Sequence, residues 1–233
     1  MTQTVLITGA GRGLGLALTE VFLAAGFRVV AGERKPSREL DRLKAAHDAR
    51  LSRVTLDQSS TKSVRAAAAQ LTSALADGLD VLINNAAILP SAGRGTLEEL
   101  DVDAGLEVLD VNALGPLRVT QAFLPLLERG QRKLIVNVSS EAGSIGDCWR
   151  KDEFPYCMSK AALNMQSAIL QNALSPRGFQ VLAIHPGWIR SDMGGPKADL
   201  APKEAAEALF SVVAARGADA PLFVDYMGKE LRF

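Results

Sequence analysis

Three observations predict an α/β doubly wound fold with a parallel sheet. Short β-rich runs alternate with longer helix-forming runs from end to end. Two of the short runs, Val81-Leu82-Ile83 and Leu134-Ile135-Val136, are continuously apolar, as strands covered on both faces must be. A glycine cluster, Thr8-Gly9-Ala10-Gly11-Arg12-Gly13-Leu14-Gly15, ends the first strand and opens the first helix. With 233 residues and 24.7 kDa the chain can form one sizeable domain, and no Pro/Gly/Ser linker divides it. Residues 1–233 are therefore read as a single domain.

The elements follow in order. Thr4 to Thr8 is a strand that the glycine loop stops, and Leu14 to Ala25 is the first helix. Arg28 to Gly32 is the second strand; Glu33-Arg34-Lys35 follows it as a charged turn before the helix Ser37 to Asp48. Leu51 to Leu56 ends at Asp57, and Asp57-Gln58-Ser59-Ser60 suits the N-cap of the Ala-rich helix Thr61 to Ala76. Asp80 to Asn84 is the fourth strand, followed by helices Leu97 to Asn112 and Ala113 to Arg129. Lys133 to Ser139 is the fifth strand and Pro155 to Leu174 a long helix. Gln180 to His185, the helix Pro202 to Ala215 and the strand Leu222 to Val224 complete the pattern. Gly143 to Pro155 and Gly187 to Ala201 are the long irregular segments, and loops of that length in a compact domain are usually functional.

Composition removes several function classes. Formal net charge is zero with a pI near 6.8, so nothing in the bulk electrostatics favours nucleic acid or an anionic membrane. The N-terminal run shows no signal peptide or spanning helix. Two cysteines, Cys148 and Cys157, are too few for a disulfide framework or a metal knuckle, and reduced thiols in the cytoplasm are expected. With only His47 and His185, a histidine triad or metal site is poorly supplied.

The chemistry concentrates in Tyr156-Cys157-Met158-Ser159-Lys160. Residues four apart on a helix share a face, so the phenol and the ammonium can reach one site. A free phenol, with a pKa of roughly 10, is a poor proton carrier at neutral pH. A neighbouring positive charge lowers that value and makes it a usable acid/base. Taken alone the pair is equally a helix-start aromatic and a solvated lysine. The glycine loop gives it weight: glycines permit a tight turn and close backbone approach to a pyrophosphate, which the helix N-terminus attracts.

With these motifs the chain resembles the short-chain dehydrogenase/reductase family over essentially its whole length. The motifs recur in order: the glycine loop, Asn84-Asn85-Ala86-Ala87, Asn112 after a valine, Ser139-Ser140, Tyr156 and Lys160, then Pro186-Gly187-Trp188-Ile189-Arg190-Ser191. Ala87 stands where the family usually has glycine. Ser140 lies 16 residues before Tyr156, a longer loop than in many members. That loop, His185-Pro186-Gly187-Trp188, Asp192-Met193-Gly194-Gly195 and Asp225-Tyr226-Met227-Gly228-Lys229-Glu230-Leu231 are similar to sniffer-type carbonyl reductases and their bacterial relatives of the C-signal type.

The resemblance implies a Rossmann domain with a seven-stranded sheet in the order 3-2-1-4-5-6-7 and hydride transfer between NADP(H) and a small carbonyl or alcohol substrate. Tyr156 would carry the proton, Lys160 would lower the phenol's pKa and hold the nicotinamide ribose, and Ser140 would hydrogen-bond the substrate oxygen. Asn112 would hold a water that links Lys160 to solvent. Ser139 reads as a strand-end hydroxyl bonded to backbone. The cofactor would lie against Gly9, Gly11, Arg12, Gly13, Leu14 and Gly15, with Asp57 near the adenine and Asn85 and Ala86 beside the adenosine ribose. Pro186, Gly187, Ile189 and Ser191 would face the nicotinamide end. Glu33 suits the 2′-hydroxyl of NAD(H), whereas Arg34 and Arg12 suit the 2′-phosphate of NADP(H). Two arginines against one carboxylate favour NADP(H), with NAD(H) possible.

Trp149, Phe154, Trp188 and Met193 fall in or beside the long loops and could wall an apolar pocket or simply pack. The helix from Pro155 is apolar on several faces, which predicts burial on two sides and a homodimer or homotetramer. A sensor that keeps the fold without chemistry is the alternative reading, although such proteins commonly lose the tyrosine or lysine. A sugar-nucleotide epimerase would need a C-terminal substrate domain for which there is no room.

Overall fold

β1 (Thr4–Thr8) lies near the middle of a seven-stranded parallel sheet in the order β3-β2-β1-β4-β5-β6-β7. The computed structural model describes residues 2–91, 94–217 and 219–233. The other strands are β2 (Arg28–Glu33), β3 (Leu51–Thr55), β4 (Val81–Asn84), β5 (Leu134–Val138), β6 (Gln180–His185) and β7 (Phe223–Asp225). The helices are α1 (Gly13–Ala24), α2 (Arg38–Ala46), α3 (Thr61–Ala74), α4 (Gly105–Leu109), α5 (Gly115–Arg129), α6 (Phe154–Leu174) and α7 (Pro202–Ala215).

Strand alternation sends successive side chains to opposite faces, so the sheet carries two cores. Val5 and Ile7 join Phe22, Leu23 and Leu209 under α1 and α7. Leu6 and Val30 join Leu71, Phe123 and Leu127 under α3 and α5. Both layers are fully buried at these positions, which is why the inner strands read as unbroken apolar runs. Because all strands run the same way, their C-terminal ends meet along one edge, and that edge carries every candidate motif.

Three local expectations need correction. The helix expected from Leu97 to Asn112 begins only at Gly105; residues 97–104 are turns and irregular chain. Between α4 and α5 the chain opens into a π-helical turn over Asp110–Leu114, where Asn112 sits. Pro116 explains part of this, because an α-helix would require its missing N–H for the Asn112 carbonyl. The N-cap of α3 is Ser60, which accepts from the Ser63 N–H at 3.2 Å; Asp57 accepts instead from the Ser59 N–H at 3.0 Å.

The third correction concerns α6. Within the chain it buries one face, while Met165 and Ile169 stay exposed. The buried face mixes Leu163 and Leu174 with polar side chains. Lys160 Nζ donates to the Val138 carbonyl at 2.8 Å, Ser139 Oγ to Asn164 Oδ1 at 2.6 Å and Asn137 Nδ2 to Ser167 Oγ at 2.8 Å. The Ser139 hydroxyl is thus bonded to a side chain, not to backbone. The spacing 156, 160, 164, 167 places Tyr156 at the head of this ladder, so α6 is docked in a fixed register on β5.

Candidate active site

The glycine loop is built for close approach. Gly9 and Gly13 have φ of 67° and 53°, where glycine has no steric cost. A Cβ at Gly9 would come 2.9 Å from Ala86 Cα, and one at Gly15 would come 2.2 Å from the Gly9 carbonyl oxygen. Thr8 Oγ1 accepts from the N–H groups of Asn85 and Ala86, both at 3.0 Å, and Asn85 Nδ2 donates to the Thr8 carbonyl at 2.9 Å. The end of β4 is therefore sewn to the end of β1. No side chain caps α1 at Arg12, so the first-turn N–H groups, including that of Leu14, face the crevice uncapped.

The loop after β6 forms the facing wall. Gly187 has φ of 80°, and a Cβ there would strike Leu200 Cδ1 at 2.5 Å. Next to Pro186 and Gly187, Ile189 pairs with Leu200 in an isolated bridge, which shapes the chain that follows. Ser191 approaches the glycine loop, with its Cβ 3.9 Å from where a Gly13 side chain would begin. The Ser191 hydroxyl accepts from the Gly194 N–H at 3.1 Å, so it is already engaged in a local turn. Arg12 reaches across the crevice to pair with Asp192; both side chains are exposed.

At the second strand, Glu33 is 7% exposed and sits beside Gly11, whereas Arg34 is exposed. Glu33 Oε1 accepts from Arg53 Nε at 2.7 Å. Sequence reasoning missed Arg53. Its signal was present in the β3 alternation, because parallel pairing sets Arg53 opposite Ala31, two residues before Glu33.

At the head of α6, Tyr156 is half-buried and Lys160 fully buried. Lys160 Nζ lies 5.7 Å from the Tyr156 ring centroid. Burial pushes the phenol up to about 12, against the opposing pull of the Ser140 hydroxyl and of Arg150. Burial alone pushes the Lys160 ammonium down to about 8. Ser140 lies two residues beyond β5, and its Oγ accepts from the Ala142 N–H at 3.1 Å. Asn112 Oδ1 accepts from the Ile88 N–H at 2.8 Å, and its Nδ2 donates to the Ile88 carbonyl at 2.9 Å and to Ser159 Oγ at 3.1 Å. Ser159 Oγ in turn donates to the Tyr156 carbonyl at 2.7 Å. One hydrogen-bonded chain thus joins the β4 loop, the π turn and α6.

Arg150 was also missed. It donates to Glu141 Oε1 at 2.7 Å and to Glu153 Oε2 at 2.6 Å, which staples the Ser140–Tyr156 loop at its base. Cys148 is exposed, and Cys157, pushed up to about 11 by burial, has no thiolate character at neutral pH. Trp149 and Trp188, in the two long loops, are largely exposed, at 72% and 51%. His185 is half-buried and its Nδ1 has no hydrogen-bond partner among the described residues.

Comparison with known proteins agrees with this architecture. The chain is 38% identical to C-signal of Myxococcus xanthus over 154 residues, 66% of this chain and 92% of that one. A structure of NADPH-bound carbonyl reductase from chicken fatty liver superposes with a TM-score of 0.93 at 32% identity, covering 100% of this chain and 99% of that one. Carbonyl reductase Sniffer of D. melanogaster superposes with a TM-score of 0.95 at 28% identity, covering 100% of both. The short chain dehydrogenase family model matches residues 3–201. On these grounds the chain belongs to the short-chain dehydrogenase family of oxidoreductases.

Proposed function

We propose that this single-domain protein, residues 1–233, is an NADP(H)-dependent oxidoreductase that interconverts a small carbonyl compound and its alcohol, with Tyr156 as the general acid/base. One observation carries the reading. Lys160 is a buried ammonium with no carboxylate partner among the described residues, and its one described hydrogen bond is to the Val138 carbonyl. A buried, unpaired cation lowers stability. Its placement one helical turn from a phenol and beside a strand-end serine is what proton chemistry on a carbonyl oxygen requires.

The residues fit a dinucleotide. The glycine cradle has no room for side chains at Gly9 and Gly15, α1 offers an uncapped N-terminus, and Glu33 Oε2 is buried without a partner among the described residues beside Gly11. When bound, the nicotinamide supplies or receives the hydride. The chain's own groups do the rest. Tyr156, held protonated at neutral pH by burial, is poised to donate a proton to an oxygen that gains negative charge. Ser140 Oγ would hydrogen-bond that oxygen. Lys160 would hold the ribose and, while charged, favour the departing proton. Both ends of the Asn112 amide are spent on Ile88 and Ser159, so a relay water would use the Asn112 main-chain carbonyl, whose α-helical donor Pro116 cannot supply. Asp57, Asn85 and Ala86 would flank the adenosine, and Pro186, Gly187, Ile189 and Ser191 the carboxamide.

NADP(H) is favoured by Arg34 and by the NADPH bound to the chicken carbonyl reductase. The exposed aromatics Trp149 and Trp188 support an apolar substrate mouth. The exposed stripe on α5 and α6 supports a homodimer or homotetramer, and the free thiols support a reducing compartment, the cytoplasm. The test is Tyr156→Phe with NADPH and a panel of aldehydes, ketones and quinones. Turnover should fall by about 10²-fold or more while NADPH affinity stays within about threefold. Unchanged turnover would overturn the role of Tyr156, and absence of turnover in the wild-type chain across the panel would favour a sensor.

A further inference from the structure

A carboxylate facing a guanidinium normally shares both oxygens with it. Glu33 does not. Arg53 Nε and Nη2 converge on Glu33 Oε1, and Arg53 Nη1 goes to Asp41 on α2. Glu33 Oε2 is left buried with no partner among the described residues, in a side chain only 7% exposed. It points to Gly11, where a side chain would begin 3.6 Å away. The geometry is a carboxylate whose charge is answered from behind and whose second oxygen is presented to the adenosine end of the glycine loop. A buried acceptor left unsatisfied carries its full desolvation cost, which a ligand hydroxyl would relieve.

We propose that Arg53 is the specificity-determining residue of the adenosine subsite: by offsetting the charge of Glu33 it lets the site take a 2′-phosphate, while Glu33 Oε2 remains an acceptor for a 2′-hydroxyl, so the protein favours NADPH and still binds NADH. The inference rests on the dinucleotide reading above. The logic is electrostatic. A bare carboxylate beside a 2′-phosphate is a like-charge contact at close range, and like-charge juxtaposition is strongly unfavourable in a partly desolvated site. Arg53, shared between Glu33 and the more distant Asp41, offsets much of the charge Glu33 would present, and the exposed Arg34 can meet the phosphate. Arg53 itself is fully committed to Glu33 and Asp41, so it acts through Glu33 and does not need to touch the ligand.

The experiment is calorimetric titration of NADPH, NADH, 2′,5′-ADP and 5′-AMP into wild type, Arg53→Gln, Glu33→Gln and the double variant. Wild type should bind NADPH and NADH with affinities within about tenfold. Arg53→Gln should weaken NADPH and 2′,5′-ADP by about ten- to a hundredfold and NADH and 5′-AMP by no more than about threefold. Removing the now unpaired carboxylate in the double variant should bring NADPH back to within about threefold of wild type and weaken NADH. Equal losses for both dinucleotides in Arg53→Gln, or no recovery in the double variant, would overturn the proposal and leave Arg53 a structural staple. If Arg53→Gln does not fold, Glu33→Gln decides: NADH should weaken severalfold with NADPH retained, and unchanged NADH affinity would refute the role of Oε2. If wild type binds no dinucleotide, the underlying reading fails instead.

Discussion

Lys160 and Tyr156 stand one turn apart on α6 with the ammonium 5.7 Å from the ring centroid, and burial drives the two groups toward neutrality together. The fall of Lys160 from its ordinary 10.5 to about 8 corresponds to about 3 kcal/mol against the charged form, at about 1.4 kcal/mol per unit. That cost is fully present below about pH 8, where the lysine is charged in both states. It is relieved as pH rises from about 8 to 10.5, because the unfolded chain then binds the extra proton.

Lys160→Met should therefore stabilise the ligand-free protein at pH 7. Part of the gain is offset by the lost bond to the Val138 carbonyl, leaving about 1–2 kcal/mol, or a Tm higher by about 2–6 °C. The advantage should shrink between pH 8 and 10.5, and turnover should be lost. Thermal melts across pH check the sign; a variant less stable at pH 7 than wild type contradicts the buried-cation account. In the wild type, reductive kcat/KM should decline above about pH 8 as Lys160 loses its proton.

A second prediction follows from the Arg150 staple. Glu153 caps α6 at φ 55°, a left-handed conformation that a non-glycine residue holds only at a cost, and Arg150 fixes its carboxylate at 2.6 Å. Glu141, the residue after Ser140, hangs from the same guanidinium. Arg150→Gln should release both ends of the loop and remove a charge that favours the ionised phenol. The expected result is a kcat lower by about tenfold, with the phenol's titration moved further up in the pH profile. Arg150→Lys should recover part of it. Intact kcat with a lowered Tm would make Arg150 a purely structural residue.

The glycine loop, the Tyr156–Lys160 pair and the parallel sheet were legible in the sequence because each is a local pattern: glycine where a side chain has no room, spacing of four on a helix, continuous apolar runs; the strand order came only with the family resemblance. Arg53 and Arg150 were not. Their meaning comes from partners 20 residues away across two strands, or on both sides of a loop, and a charge in sequence reads as a solvated face. The polar ladder Lys160, Asn164 and Ser167 was hidden for the same reason, since its acceptors and donors lie on β5. The late start of α4 was invisible because the 97–104 segment has helical composition and forms only turns.

Gly15→Ala tests the cradle directly. The new methyl would meet the Gly9 oxygen at 2.2 Å and Asn85 Nδ2 at 2.6 Å, so backbone must move. A loss of about 1–3 kcal/mol in stability and a clear loss of dinucleotide affinity are expected. Gly217→Ala is the matched control, with nothing within 4 Å, and should leave both unchanged. A Gly15→Ala variant that binds dinucleotide like wild type would show that the loop does not approach its ligand closely.

The last prediction concerns the face of α5 and α6 away from the sheet. Leu114, Leu117, Met165 and Ile169 are 49%, 42%, 63% and 57% exposed. Beside them a groove of about 390 Å³ is lined by Leu117, Leu124, Leu170 and Leu174. Large apolar patches are disfavoured on monomers, and a second copy offers the same stripe in return, which a two-fold axis makes self-complementary. A stable interface needs about 800 Å² from each partner, a size that two long helices can supply. Leu117→Glu with Ile169→Glu would set four carboxylates into such an interface without disturbing either core, because neither side chain belongs to the buried clusters. Analytical ultracentrifugation at micromolar concentration should show a dimer or tetramer for wild type and a monomer of unchanged fold for the double variant. A wild-type monomer under those conditions would mean that the stripe is covered by something other than a copy of this chain.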